Sequence, residues 1–181
     1  MKRLSIYSLP SLLCFVAFAA NAAPPSEPEF ESVQHTSFFS MLKQADRAAH
    51  DKDSTDVFAL QQRLACAGNQ ANQAVLGGLY LNGRGVVEDD ITGYSWLKLA
   101  SESGVPAYRD LVKSLEKGMT PAQRTLADSR VEKLKAQYGT LATHMSCAQV
   151  DAPGSHMKQL VCNPARVDPD AAFIWLKRCE K

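Results

Sequence analysis

Equal offsets between structure-breaking residues restrict this chain more than anything else: Gly68 to Gly104 is 36 residues, and Asp53 to Asp89 is also 36. A period of that size signals stacked helix pairs, because each pair leaves one apolar face open and needs a neighbour to cover it. A further echo lies near the C-terminus, where Asp168 precedes Trp175-Leu176-Lys177 by the same seven positions that separate Asp89 from Trp96-Leu97-Lys98. That step of 79 residues exceeds two periods by seven, so an insertion lies between the two units.

Helical spacing fills the period. Phe38, Leu42, Ala45 and Ala49, with Met41 and Ala48 beside them, predict an amphipathic helix with Thr36 and Ser37 available as caps. Val57, Leu60, Leu64 and Ala65 predict a second, ending at Gly68. A third spans roughly 70–81 and breaks at Asn82-Gly83-Arg84-Gly85; a fourth runs from Asp89 or Asp90 to Ser103 and breaks at Gly104. Thr120-Pro121-Ala122-Gln123 reads as a helix start with a capping box, followed by Ala127, Val131, Leu134 and Tyr138 on one face. From Thr140 to Asp168 the pattern dissolves into turns at Pro153-Gly154 and Asn163-Pro164, and no strand signal stands out. The expected fold is all-α: a short solenoid of antiparallel helix pairs with a disulfide-stapled, loop-rich segment at 140–168.

One unit is almost complete. Leu76-Gly77-Gly78-Leu79-Tyr80, then Gly83-Arg84-Gly85-Val86, Asp89, Trp96-Leu97-Lys98-Leu99-Ala100 and Gly104 resemble the Sel-one-like repeat (SLR), a relative of the tetratricopeptide repeat. The resemblance covers about 69–104. Each position also has its own physical reason: Gly77 and Ala100 let helices approach closely, Tyr80 and Trp96 fill the space between pairs, and Asp89 can cap the next helix. The flanking units depart from the pattern, with Leu60 in place of the tryptophan, Met119-Thr120-Pro121 in place of the glycine connection, and Cys179 at the small-residue position of the C-terminal echo. The resemblance implies a docking platform for a protein partner on the concave side. Since the motif claims the buried positions, the expected contacts are Asn69, Gln73, Asn82, Arg84 and Arg109.

The first residues carry an export signal. Met1-Lys2-Arg3 precedes an apolar run from Leu4 to Ala20, and Ala20-Asn21-Ala22 is a small-x-small cleavage site ahead of the proline-rich 23–28. Residues 1–22 are read as a signal peptide, 23–35 as a disordered segment and 36–181 as one domain in a periplasmic or secreted chain. Leu13 before Cys14 does not suit a lipoprotein site. The remaining 159 residues hold 18 basic and 19 acidic side chains, a balance that recommends neither nucleic acid nor an anionic membrane as partner. Cys66, Cys147, Cys162 and Cys179 remain, an even number that reads as two disulfides in an oxidising compartment. Three connectivities are open; the favoured one joins Cys147 to Cys162 and Cys66 to Cys179.

Two other chemistries compete with a scaffold. His144, Cys147, His156 and Cys162, with Met145 and Met157, gather soft ligands within 19 residues and suit zinc or copper unless the thiols oxidise. Ser40-Met41-Leu42-Lys43 and Ser114-Leu115-Glu116-Lys117 match the Ser-x-x-Lys of penicillin-recognising enzymes, but neither has the companion motifs. Because exported cysteine-rich relatives are linked to β-lactam binding, a β-lactam or cell-wall hydrolase is the remaining alternative. No cofactor is expected. His35 and His50 read as surface residues, and Trp96 and Trp175 as core.

Overall fold

The computed structural model describes residues 29–51, 56–164 and 172–180. The leader assigned to residues 1–22, Asp53 and Asp168 lie outside the described residues.

The central repeat forms because its ends are chemically specified. Asn69 accepts from the backbone N–H groups of Ala71 and Asn72 and so starts helix α3 (Gln70–Leu81). Gly83 and Gly85, at φ 61° and 74°, turn the chain in a conformation that disfavours other side chains. Asp89 accepts from the Thr92 N–H to open α4 (Asp90–Ala100), and a 3₁₀ turn over Ser101–Ser103 ends at Gly104 with φ 76°. Gly68, one period earlier, also has positive φ, 89°, at the end of α2 (Val57–Cys66). The 36-residue spacing thus marks two equivalent helix stops.

Further helices flank that pair. Ahead of α2 lies α1 (His35–His50), which buries Phe38, Met41, Ala45 and Ala48; it starts at His35 without a side-chain cap, so Thr36 and Ser37 fall inside it. After Gly104 come α5 (Pro106–Gly118) and α6 (Pro121–Tyr138), the latter opened by the expected Thr120–Gln123 capping box, then the short α7 (Thr140–Thr143). Trp96, buried as expected, stacks on Tyr138 at 5.6 Å between ring centres. Tyr94, Leu97 and Ala100 pack on Val112 of α5 and on Ala127 and Val131 of α6.

The fold is not all-α. Strand β1 (Phe30–Gln34) pairs antiparallel with a strand at Phe173–Lys177, and a hairpin is formed by β2 (Met145–Asp151) and β3 (Lys158–Pro164). In chain order the Phe173–Lys177 strand is β4. Residues expected to be disordered at 30–34 are therefore ordered, and much of the segment expected to be irregular at 140–168 is α7 and a regular hairpin. The C-terminal echo of the repeat is a strand rather than a helix. Ile174 and Leu176 turn inward against Phe38, Met41 and Leu64, whereas Trp175 and Phe173 face outward, 47% and 51% exposed. Trp175 is thus a surface residue, contrary to the expectation that it is core: in a strand, alternate side chains take opposite faces.

Disulfides tie these additions down. Cys66 at the end of α2 joins Cys179 beyond β4, and Cys147 joins Cys162 across the hairpin, the pairing favoured from the sequence.

Candidate functional site

Of the five residues expected to meet a partner, three work inside the fold. Asn69 is buried and caps α3. Gln73 is 1% exposed, and its amide donates to the carbonyls of Ala65 and Tyr138, bridging α2 and α6. Arg84 reaches back to the C-terminal end of α1, donating to the carbonyls of Ala48, Ala49 and Asp51. Asn82 and Arg109 are exposed, the first in the loop after α3 and the second on α5. Polar type alone could not separate the two groups, because a buried amide that satisfies backbone carbonyls looks in sequence like one that waits for a ligand.

The structure offers instead a groove of about 310 Å³ between α1, α3 and β3. Phe39, Leu42 and Asp46 of α1 form one wall, Ala71 and Val75 of α3 another, and the consecutive residues Leu160, Val161, Cys162 and Asn163 of β3 a third. Polar groups at its floor are already occupied: Gln61 donates to the Ala45 carbonyl at 2.8 Å and Asn72 donates to Gln61 at 2.7 Å. What remains is mostly apolar surface, with Phe39 40% exposed and an acidic side chain at Asp46. Its sequence signal was faint: the Phe38-Phe39 pair puts one ring in the core and the next outside it, where helical spacing gives it no core role.

Two charged clusters lie elsewhere and hold helices together. The Tyr94 hydroxyl and the Lys98 ammonium both donate to one oxygen of Glu116, each at 2.8 Å. The hydrogen bond from Lys98, then that from Tyr94, holds the Glu116 carboxyl below the usual carboxylate range. Burial, and then the bond to Glu116, pushes the Tyr94 hydroxyl well above its ordinary value. At Asp89, partial burial pushes the carboxyl up, but hydrogen bonds from the Thr92 side chain and backbone and from Arg130 outweigh it and leave the group lowered.

The rival sites are not assembled by these elements. Cys147 and Cys162 are bonded to each other. His144 precedes β2, while His156 sits in the turn at the far end of the same hairpin, so the two imidazoles are held at opposite ends. Among the described residues no three His, Cys, Asp or Glu side chains cluster as a metal site would need. Ser40 and Lys43 are exposed on α1, and Ser114 and Lys117 on α5.

No family model and no curated protein matches the chain. A solved structure does: the crystal structure of a protective antigen present in uropathogenic Escherichia coli strains, described as displaying an SLR fold, superposes with a TM-score of 0.52 over 58% of this chain at 21% identity. The chain has an SLR fold. It spans 24% of that antigen, so the likeness speaks for the helical repeat and not for the antigen's role. Within the SLR fold, Gly83, Gly85 and Asp89 take the structural places that their spacing implied, while Asn69, expected to meet a partner, is the cap of α3.

Proposed function

We propose that this chain is an exported SLR scaffold that docks a protein partner on its concave side and performs no catalysis itself. The observation that carries the reading is the groove: the first helices of two successive pairs, α1 and α3, line it together, and its accessible surface is mostly apolar, with Asp46 as its one ionisable side chain. Asn82 and Arg109 are exposed and available as polar contacts to a partner. Two disulfides fit an oxidising compartment, in keeping with a leader cut after Ala22. Among the described residues no helix is long and apolar enough to cross a membrane.

Photocrosslinking in the protein's own envelope fraction tests this. A benzoylphenylalanine placed at position 39 or 109 is expected to trap one common protein, and one at exposed Leu141 is expected to trap none of it. If positions 39 and 109 trap nothing while purified protein turns over a β-lactam or a peptidoglycan fragment, the hydrolase reading replaces the scaffold.

A further inference from the structure

We propose that the groove binds its partner by strand addition, an extended peptide segment pairing with the free edge of β3; this rests on the docking reading above and names the chemistry of its contact.

The hydrogen-bonding phase of the hairpin leads to this. In an antiparallel pair, directly opposed residues alternate between those that exchange N–H···O bonds, with Cα atoms about 5.5 Å apart, and those that do not, at about 4.5 Å. Cys147 and Cys162 oppose each other with Cα atoms 4.0 Å apart, which marks a non-exchanging pair. The Ala152 N–H donates to the Met157 carbonyl at 2.9 Å; that pair is the next beyond Asp151 and Lys158, and counting inward from it gives the same phase at Cys162. Pro164, which lacks an N–H, opposes Met145 at a position of that phase, where the missing donor faces away from β2. The N–H and C=O groups of Leu160 and Cys162 therefore point out of the hairpin. Among the described residues β3 has no strand on that side, and no backbone group outside the hairpin bonds either residue.

That outer edge meets the groove. Successive strand side chains take opposite faces, so a cavity touching Leu160, Val161, Cys162 and Asn163 in turn must run along the strand's edge rather than over one face. A peptide laid there satisfies the outward backbone groups and sends alternate side chains between Phe39 and Val75. Asp46 at the wall favours a basic residue in the peptide. Pro164 and Lys158 limit the usable edge at its two ends, as natural sheet edges are limited, so the paired segment is short, about five residues.

The test uses oxidised protein and a displayed library of random octapeptides. Selected peptides are expected to carry alternating apolar residues with a basic one. Amide hydrogen exchange by NMR is expected to find the Leu160 and Cys162 amides unprotected in the free protein and protected in the complex, with the Val161 amide protected in both. N-methylation of the peptide's pairing amide, and Leu160→Pro in the protein, are each expected to weaken binding about tenfold or more, the equivalent of one hydrogen bond. Leu160→Pro removes an outward donor, and its thermal melt checks that the hairpin persists; the exchange measurement stands without it. Overturning results are Leu160 and Cys162 amides already protected, no selected peptide, peptides that bind as helices or tolerate N-methylation, or occupancy of the groove by a second copy of the chain. Any of these defeats strand addition alone, because a folded partner trapped from position 39 would still uphold the docking reading.

Discussion

Gly77 on α3 and Gly93 on α4 face each other across the central helix pair, and a Cβ placed on either would stand 2.8 Å from the other's carbonyl oxygen. The sequence pointed to Gly77 for such an approach but named Ala100 as its companion. The true counterpart is Gly93, one turn into α4. Gly93→Ala is expected to force the helices apart and cost about 1–3 kcal/mol, as overpacking does. Gly78, next to Gly77 but with no atom within 4 Å of its would-be Cβ, is the control: Gly78→Ala is expected to stabilise by up to about 1 kcal/mol through helix propensity. Urea denaturation of both variants checks the opposite signs; a loss at Gly78 or none at Gly93 contradicts this packing.

The two disulfides close very different loops. Replacing Cys147 and Cys162 by alanine opens a span of 15 residues and is expected to cost about 3 kcal/mol; opening the span of 113 between Cys66 and Cys179 is expected to cost about 5 kcal/mol. The longer closure is therefore expected to be the costlier one to open. Equilibrium unfolding of the two double variants measures the order, and a reversed order would mean that the C-terminal strand is held by packing more than by its covalent link.

How much could be read in advance follows from the range of the interactions. Gly83, Gly85, Asp89 and Gly104 act on their own turns and caps, so their local sequence carries the central repeat. Strand β4 was invisible for a different reason. Phe173-Ile174-Trp175-Leu176 is apolar on both faces, which hides the alternation of a half-buried strand, and its partner β1 lies more than a hundred residues away. The match of Trp175-Leu176-Lys177 to the repeat then suggested a helix. Long range also hides the structural roles of two candidate contacts: Gln73 and Arg84 reach carbonyls on other helices, and no local pattern encodes that reach.

Arg84 is expected to behave as a structural residue. Its guanidinium donates to the carbonyls of Ala48, Ala49 and Asp51 at the end of α1, satisfying groups that a helix terminus leaves open. Arg84→Ala should lower stability by about 2 kcal/mol, the scale of a charged hydrogen-bond donor. Arg84→Lys should restore only a fraction, since an ammonium lacks the planar fork. Denaturation combined with hydrogen exchange at Ala48 to Asp51 checks this; a variant with unchanged stability but weaker capture of a partner would return Arg84 to the docking face.

Glu116 gives the fold a dependence on acid. Its carboxyl titrates below its ordinary value because Lys98 and then Tyr94 hydrogen-bond the ionised form, so the unfolded chain binds that proton more readily than the folded one. The resulting stabilisation is complete above the unfolded value near 4.5 and is lost as pH falls through the lower folded value. Glu116→Gln removes the titration, and the stability gap between wild type and variant is expected to stay level at neutral pH and shrink below about pH 4.5. The lowered Asp89 carboxyl titrates in the same sense in both proteins and cancels from the difference. Urea denaturation across this range measures the gap, and one that widens toward acid would mean that the contact between α4 and α5 does not depend on an ionised Glu116.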